Sequence, residues 1–307
     1  MVARPVQLDG ALPLRDGVAA SRVALPATGW DTVAAFLVDR FPAISPSQWA
    51  ARMRRGEVLY QDGCAVQPDD RFRPRAMVFY YRSVADEVPI PFEEVVLFQD
   101  AHIVVADKPH FLPVTPSGAY LQETLLVRLK RRLGIDQLSP LHRIDRDTAG
   151  LVLFCIDPAA RGFYQALFRD HAIAKCYEAI APWRDDLELP LVRRSRLVEG
   201  AAFMQMAETS GAPNAETAVS VIERQGDFAR YQLQPVTGKK HQLRVHMAAL
   251  GVPIVNDRLY PVLQPPPPAN RPADYLHPLQ LLARTLTFRD PLTGAARHFE
   301  SRLALYF

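Results

Sequence analysis

Cysteine is scarce in this sequence of 307 residues, which contains only three. Cys64, Cys155 and Cys176 lie far apart and form no C-x-x-C pair, so they lack the spacing of a structural zinc site. An odd number of scattered cysteines also argues against a disulfide framework, which belongs to oxidising compartments. We therefore expect reduced thiols, a cytoplasmic protein and no bound metal.

Long apolar runs are also absent. No stretch approaches the roughly 20 apolar residues that cross a bilayer, and residues 1–17 lack the apolar segment of a secretory signal. The sequence therefore predicts no membrane association. Hydrophobic residues make up 49% of the chain and charged residues 22%, a mixture typical of a globular protein with a substantial core.

Lysine is rare, and the basic residues are mostly arginine. The net charge of +3 does not by itself establish a nucleic-acid partner. The planar guanidinium group suits phosphate and base recognition because it binds bidentately, but a biased genome composition would produce the same excess of arginine. The lysines are Lys108, Lys130, Lys175, Lys239 and Lys240.

Composition divides the chain into four parts. Residues 1–26 are polar and interrupted by proline, which predicts an extended lead-in. Residues 27–84 have the pattern of a small α+β domain, and the acidic stretch 85–94, with two prolines, is typical of a linker. Residues 95–307 form the larger domain.

Two predicted helices and a hairpin make up residues 27–84. Asp31 and Ser45 are residue types that cap helices, and Asp62-Gly63 marks a hairpin turn. This order of elements resembles the small S-four-type RNA-binding domain, in which the second helix and the hairpin form the RNA surface. The resemblance implies RNA contacts from Arg52, Arg54, Arg55, Arg71 and Arg73. An ordinary α+β cap with a solvated arginine face is the alternative.

The larger domain contains many predicted strands and a few helices. Apolar patterns predict strands at 95–98, 103–106, 151–156, 174–180, 217–223 and 231–236, and renewed core apolarity at 276–288. Helical spacing predicts helices at 123–133 and 158–171, and a buried helix from about 243 that ends at Gly251. The stretch from 181 to about 212 offers no motif, and the proline-rich segment 261–272 is predicted to be a surface loop.

Asp145 lies in a loop that a predicted buried strand anchors. Gly150 provides the tight turn into the strand, and functional residues are often placed on such loops. The carboxylate is flanked by Arg143 and Arg146 and could act as a nucleophile or base. The alternative is an ordinary surface loop whose charged side chains form ion pairs and have no catalytic role.

A second basic segment, from Lys239 to Arg244, could bind phosphates, although a solvated turn would have the same composition. Three histidines, His142, His241 and His246, do not form a convincing metal site. Positions 241 and 246 are five residues apart rather than four, and no carboxylate pattern completes the set.

Four ordered blocks of the larger domain resemble pseudouridine synthases of the RluA type. Residues 104–114 resemble the N-K-P-x-G-L-x-V segment, and residues 142–151 resemble H-R-L-D-x-x-T-S-G-L. Residues 175–177 resemble K-x-Y, and residues 237–257 contain matches to T-G-R-T-H-Q-I-R-x-H and P-I-x-G-D. The resemblance covers residues 95–307. It implies an α+β fold whose catalytic domain has a large mixed, mainly antiparallel sheet, flanked by helices and loops around a central cleft.

The resemblance also implies roles for individual residues. Asp145 matches the catalytic aspartate, Tyr177 the tyrosine that packs on the uracil and is placed to take the final proton, and Arg244 the arginine that pairs with the aspartate. The uridine leaves its stack, at a cost of a few kcal/mol. Further RNA contacts are implied for Arg143, His142, Lys175, Lys239, Lys240, His241 and Gln242. No cofactor is required.

Ala149, Lys240 and Asn256 depart from the family pattern, which bears on substrate choice more than on activity. We expect RNA as the partner, ribosomal RNA more than tRNA because of the N-terminal domain, and a monomer without an obligatory protein partner. Two alternatives differ in class. One is a non-catalytic RNA-binding or ribosome-assembly protein with the same basic surfaces, and the other is a hydrolase that uses Asp145 as its nucleophile.

Overall fold

The computed structural model describes residues 12–84, 87–202, 204–265 and 274–307. Contacts divide the chain into two compact units. The small unit comprises the described residues of Met1–Glu87 together with Pro116–Gln122, and the large unit comprises those of Val88–Thr115 and Glu123–Phe307. Within the described ranges, no helix is long and apolar enough to cross a membrane.

The small unit consists of two helices and a three-stranded sheet. Its elements are β1 (Ser21–Ala24), α1 (Val33–Arg40), α2 (Pro46–Arg54), β2 (Val58–Tyr60) and β3 (Met77–Tyr80). Strand β3 lies between β1 and β2 and is antiparallel to both. The apolar core of the unit includes the buried side chains of Phe36, Leu37, Trp49, Met53, Val58 and Val78.

Two details of the small unit differ from the prediction. The predicted lead-in of residues 1–26 contributes strand β1, so the unit includes residues before 27; residues 1–11 lie outside the described ranges. Thr32 rather than Asp31 caps α1, because the Thr32 hydroxyl accepts a hydrogen bond from Ala35 N at 3.1 Å. Ser45 caps α2 as predicted, in a reciprocal capping box with Gln48.

The large unit is built on an 11-stranded mixed sheet. Its strands are β4 (Val95–Gln99), β5 (Ile103–Lys108), β6 (Ser139–Pro140), β7 (Ala149–Cys155), β8 (Ile173–Pro182), β9 (Leu191–Glu199), β10 (Met206–Thr209), β11 (Ala215–Gln225), β12 (Phe228–Pro235), β13 (Leu281–Arg289) and β14 (Ala296–Glu300). Its helices are α3 (Leu125–Leu133), α4 (Arg161–Arg169) and α5 (Gln242–Ala249).

The strand order of the large sheet is β10-β9-β11-β12-β8-β13-β7-β5-β4, with β14 paired to β13 and β6 to β7. Strands β7 and β13 are parallel, and the other described pairs are antiparallel. The predicted α+β class with a large, mainly antiparallel sheet is therefore confirmed.

The parallel contact between β7 and β13 explains the glycine that follows the Asp145 loop. Gly150 pairs with Ala283 and has a φ of 108°, a conformation that side chains rarely adopt. A Cβ atom at this position would lie 2.3 Å from the Ala283 carbonyl oxygen. Only glycine permits this approach, which fixes the point where the loop enters the sheet.

The predicted irregular region up to residue 212 contains strands β9 and β10. Along β9, exposed side chains alternate with partly buried ones, and many of them are charged. Arg193 is paired with Glu208 and Arg194 with Glu216. Cross-strand ion pairs therefore replace the apolar alternation that would have identified these strands. Most of the predicted proline-rich loop lies outside the described residues.

Candidate active site

Hydrogen bonds from β5 hold the backbone of the Asp145 loop. Lys108 is fully buried, and its Nζ donates to Pro109 O at 2.9 Å and to Arg146 O at 3.0 Å. Thr148 N closes the turn by donating to Asp145 O at 3.2 Å. Burial lowers the pKa of Lys108 to about 7, although the charges of Asp147 and Asp145 oppose the change. The backbone on the C-terminal side of Asp145 is thus fixed.

Arg244 on α5 is the main partner of the Asp145 side chain. Its Nη1 donates to Asp145 Oδ2 at 3.3 Å. The Arg244 side chain is 2% exposed, whereas that of Asp145 is 29% exposed. The carboxylate can therefore meet a substrate while the cation that orients it stays buried in the protein.

Asp257 fixes the Arg244 guanidinium group. The Asp257 carboxylate accepts Arg244 Nε at 2.8 Å and Nη2 at 2.6 Å, and its Oδ1 also accepts the backbone N–H groups of Leu259 and Tyr260. Burial alone would lower the pKa of Arg244. The hydrogen bonds and charge of Asp257, with the charge of Asp145, outweigh burial and raise that pKa. The cation is permanent, and its direction is set by Asp257.

His241 is the second side chain beside the Asp145 carboxylate. It has a left-handed φ of 53° immediately before α5. Its Nε2 lies 3.8 Å from Asp145 Oδ1, and its Nδ1 is hydrogen-bonded to the Tyr260 hydroxyl at 2.9 Å. Burial lowers the pKa of His241, although the Asp145 charge opposes it. We therefore expect a neutral ring near pH 7.

Tyr177 lies on β8, which is adjacent to β13 in the sheet. Burial, followed by the negative charge of Asp145, raises the pKa of the Tyr177 phenol above its ordinary value. The phenol is protonated at neutral pH, so it begins any reaction as a proton donor.

The predicted RNA contacts in the large unit fall into two groups. Arg143, Lys239 and Lys240 are exposed, as a surface that meets phosphates requires. Lys240 Nζ lies 4.0 Å from Met204 Sδ. These three residues remain predicted RNA contacts, and His241 belongs instead with Asp145.

The other predicted contacts make structural bonds within the protein. Gln242 is 4% exposed, and its side chain bonds Thr237, Lys239 N, Glu216 O and Thr217. Lys175 Nζ donates to Thr237 O at 3.1 Å. These bonds anchor the segment that leads into α5, and the RNA contacts of Gln242 and Lys175 stay predictions.

His142 also makes structural contacts, and its RNA contact stays a prediction. Its Nε2 accepts a hydrogen bond from Leu153 N at 3.0 Å, and its ring stacks on Phe168 with the centroids 4.7 Å apart. Burial, aided by the charge of Lys175, lowers the pKa of His142 to about 3. The neutral ring ties the Asp145 loop to strand β7.

Three of the five arginines predicted to bind RNA from the small unit lie on α2 or directly after it, and they differ in their surroundings. Arg54 is exposed and makes no ion pair within the described residues. Arg55 pairs with Glu57 at 2.7 Å, and Arg52 donates to Ser83 Oγ at 3.2 Å. Arg54 is thus the most available of the three for a phosphate.

Asp257, Tyr260 and Lys108 support the site but were not predicted as site residues. Asp257 and Lys108 lie within segments that match family blocks, which is the only sequence signal that could have indicated them. Across the described ranges, no three His, Cys, Asp or Glu side chains converge as a metal site would require.

Comparison with known proteins identifies the family. The family model described as RNA pseudouridylate synthase matches residues 102–249. The dual-specificity RNA pseudouridine synthase RluA of Salmonella typhimurium is 33% identical over 218 residues, which are 67% of this chain and 91% of that protein. The chain belongs to the RluA-type RNA pseudouridine synthases. An uncharacterized RNA pseudouridine synthase of Synechocystis is 29% identical over 231 residues, which are 73% of this synthase and 78% of that protein.

Solved structures agree with this assignment. Human RNA pseudouridylate synthase domain containing 4 has a TM-score of 0.51 and 26% sequence identity, and the match covers 68% of this synthase and 88% of that chain. The synthase is therefore an isomerase that acts on RNA, and the predicted fold, family and enzymatic activity are confirmed.

Proposed function

We propose that this synthase converts uridine to pseudouridine in large-subunit ribosomal RNA, with Asp145 as the reacting carboxylate. The observation that carries the proposal is the arrangement of Asp145, partly exposed and oriented by the buried pair Arg244 and Asp257. Asp257 is 1% exposed and already accepts hydrogen bonds from Arg244 and two backbone N–H groups. It cannot reach a substrate, so the reaction is assigned to Asp145.

The reaction is a balanced rearrangement. The bond from N1 of uracil to C1′ of the ribose breaks, a bond from C5 to C1′ forms, the proton on C5 is lost, and N1 gains one. Asp145 starts the reaction as a nucleophile or base. The uridine must leave its stack to reach the carboxylate, at a cost of a few kcal/mol. Phosphate contacts from Arg143, Lys239 and Lys240 offset that cost.

Tyr177 packs against the uracil and relays the final proton. Because burial and Asp145 raise the pKa of Tyr177, its hydroxyl is protonated and cannot accept the C5 proton without passing its own proton on. We assign the Asp145 carboxylate, which is regenerated when the bond to C5 forms, as the acceptor of the proton that Tyr177 passes on. Tyr177 therefore acts as a relay and not as a phenolate base.

Ribosomal RNA is preferred over tRNA because of the small unit. Its basic residues are all arginines, and their guanidinium groups bind phosphates bidentately. A second RNA-binding unit increases affinity for a large RNA that engages both units. tRNA is the alternative substrate, since the similar Salmonella protein is named a dual-specificity enzyme.

Pseudouridine mapping tests the proposal. Total RNA from a strain lacking the gene is compared with RNA from strains that express the wild type, Asp145→Asn or the control Asp186→Asn, an exposed carboxylate paired with Arg184. We expect a pseudouridine missing from large-subunit RNA to return with the wild type and the control but not with Asp145→Asn. Activity of Asp145→Asn would refute the catalytic assignment, and changes confined to tRNA would refute the substrate.

A further inference from the structure

The small unit contains an open cavity of about 600 Å³ that the proposed chemistry does not use. Its walls come from residues 27–31, before α1, and from residues 71–74, before β3. Trp30 and Phe72 supply aromatic surface, and Arg71 and Asp31 supply charge. The volume is within the range of small-molecule sites, roughly 300–1,000 Å³.

Backbone hydrogen bonds hold the two walls together. Phe72 N donates to Asp31 O at 2.9 Å, and Val33 N donates to Asp70 O at 3.1 Å. Thr32 and Arg71 form an antiparallel bridge between these bonds. Because paired backbone segments form its walls, the cavity exists before a ligand binds. Binding therefore costs little free energy for ordering the walls.

Trp30 is held by neighbouring rings and still reaches solvent. The centroid of its ring lies 4.9 Å from the ring centroid of Phe36, and the two ring planes meet at 78°. The ring centroid of Phe72 lies 5.7 Å away. Phe36 is buried, whereas Trp30 and Phe72 are only partly buried. Fixed aromatic rings with accessible surface are the platforms on which single-stranded bases stack.

Positive charge accompanies the aromatic surface. Arg71, Arg73 and Arg75 are exposed. Arg73 lies over the Tyr60 ring, with its guanidinium carbon 3.9 Å from the ring centroid. Arg71 and Arg75 have no ion pair or side-chain hydrogen bond within the described residues, so their guanidinium groups are available to a phosphate.

We propose that this cavity binds one unpaired nucleotide of the RNA substrate. The base stacks on Trp30 and Phe72, its phosphate lies beside Arg71, and the Asp31 carboxylate accepts a hydrogen bond from the base. A base can stack on these rings only if it is not stacked on its neighbours in the RNA. The bound segment is therefore a single-stranded loop or bulge. The inference rests on the RNA function proposed above but uses none of the catalytic residues.

Binding of short oligonucleotides to the full-length protein tests the cavity. The probes are a fluorescent single-stranded 10-mer of adenosine and an abasic 10-mer with the same phosphates. We expect Trp30→Ala to weaken adenosine binding about tenfold and Trp30→Phe to retain most of it, since phenylalanine still stacks. Arg71→Ala should weaken both probes and reduce the salt slope by about 0.7, the value of one single-strand phosphate.

Arg40→Ala is the matched control, because Arg40 is an exposed arginine at the opposite end of α1 and carries the same charge. It should bind both probes like the wild type. Equal binding of the two probes by the wild type, or equal losses in Arg40→Ala and Arg71→Ala, would refute the inference. Should Trp30→Ala not fold, the abasic probe and Arg71→Ala decide the question without it.

Pseudouridine formation by the same preparations separates this inference from the proposed function. A wild type that forms no pseudouridine in large-subunit RNA contradicts the proposed function while Trp30-dependent binding of adenosine still stands. A Trp30→Ala variant that folds and binds adenosine normally contradicts the cavity alone.

Discussion

Among single residues, Asp257 determines how Arg244 can serve Asp145. It occupies Nε and Nη2 of the guanidinium group and leaves Nη1 to the Asp145 carboxylate. Asp145 and Arg244 could be predicted because their chemistry recurs in short sequence patterns. The role of Asp257 could not, because it depends on hydrogen-bond geometry that exists only after folding brings α5 against the following loop.

Replacing Asp257 with asparagine should impair the reaction more than substrate binding. The amide cannot accept both guanidinium donors, so Arg244 becomes free to turn, and Asp145 loses its fixed partner. We expect kcat to fall about 100-fold, since small displacements of a reacting group cost that much, with little change in KM. Breaking a buried pair should also lower the free energy of unfolding by roughly 3–5 kcal/mol.

Steady-state kinetics and urea unfolding of Asp257→Asn would measure both effects. Asp186→Asn removes a charge from an aspartate whose side chain is 68% exposed and should leave kcat and stability unchanged. An unchanged kcat in Asp257→Asn would show that Arg244 does not depend on this carboxylate.

Among the secondary-structure elements, the pairing of β7 with β13 places the strongest constraint on the site. In Gly150→Ala, the new Cβ atom would meet the Ala283 backbone at 2.3 Å, and neither strand can move without breaking its other pairings. We expect a loss of about 3 kcal/mol or more in the free energy of unfolding. Gly226→Ala is the control for strain alone, because φ is 60° there but no atom lies within 4 Å of the new Cβ; it should cost about 1 kcal/mol.

Helix α5 is anchored by His246, whose neutral form is favoured by burial. His246 is fully buried between Thr217 Oγ1, 2.9 Å from Nδ1, and Ser195 Oγ, 3.0 Å from Nε2. Burial lowers its pKa from 6.5 to about 4. Between these pH values the unfolded chain binds a proton that the folded protein excludes, so the free energy of unfolding falls as pH falls.

Urea unfolding between pH 4.5 and 6.5 would measure this dependence. His246→Gln should be less stable near pH 7, but its stability should fall less steeply with acid, by up to about 1.4 kcal/mol per pH unit. His298→Gln changes an exposed histidine on β14 and should keep the wild-type slope. Parallel slopes for the wild type and His246→Gln would refute the assignment.

At the scale of the whole molecule, the sequence predicted the fold class but not all of the sheet. Buried strands such as β5 and β7 contain runs of at least four consecutive apolar residues, which the sequence displays directly. Strand β9 is charged at most of its exposed positions and is recognisable only beside β10 and β11. The RNA substrate is not encoded in any single motif, because phosphate contacts carry affinity without sequence information.

The division into two units allows RNA binding to be separated from chemistry. Asp145, Tyr177 and Arg244 all lie in the large unit, whereas Arg54 lies in the small unit, exposed and without an ion pair among the described residues. Arg54→Glu should therefore raise KM for transcribed large-subunit RNA about fivefold or more and leave kcat unchanged, with a shallower dependence of KM on salt. Arg40→Glu makes the same charge change elsewhere in the unit and should alter neither constant. A drop in kcat for Arg54→Glu would contradict the separation of RNA binding from chemistry. An equal rise in KM for Arg40→Glu would show that net charge rather than a local RNA contact is responsible.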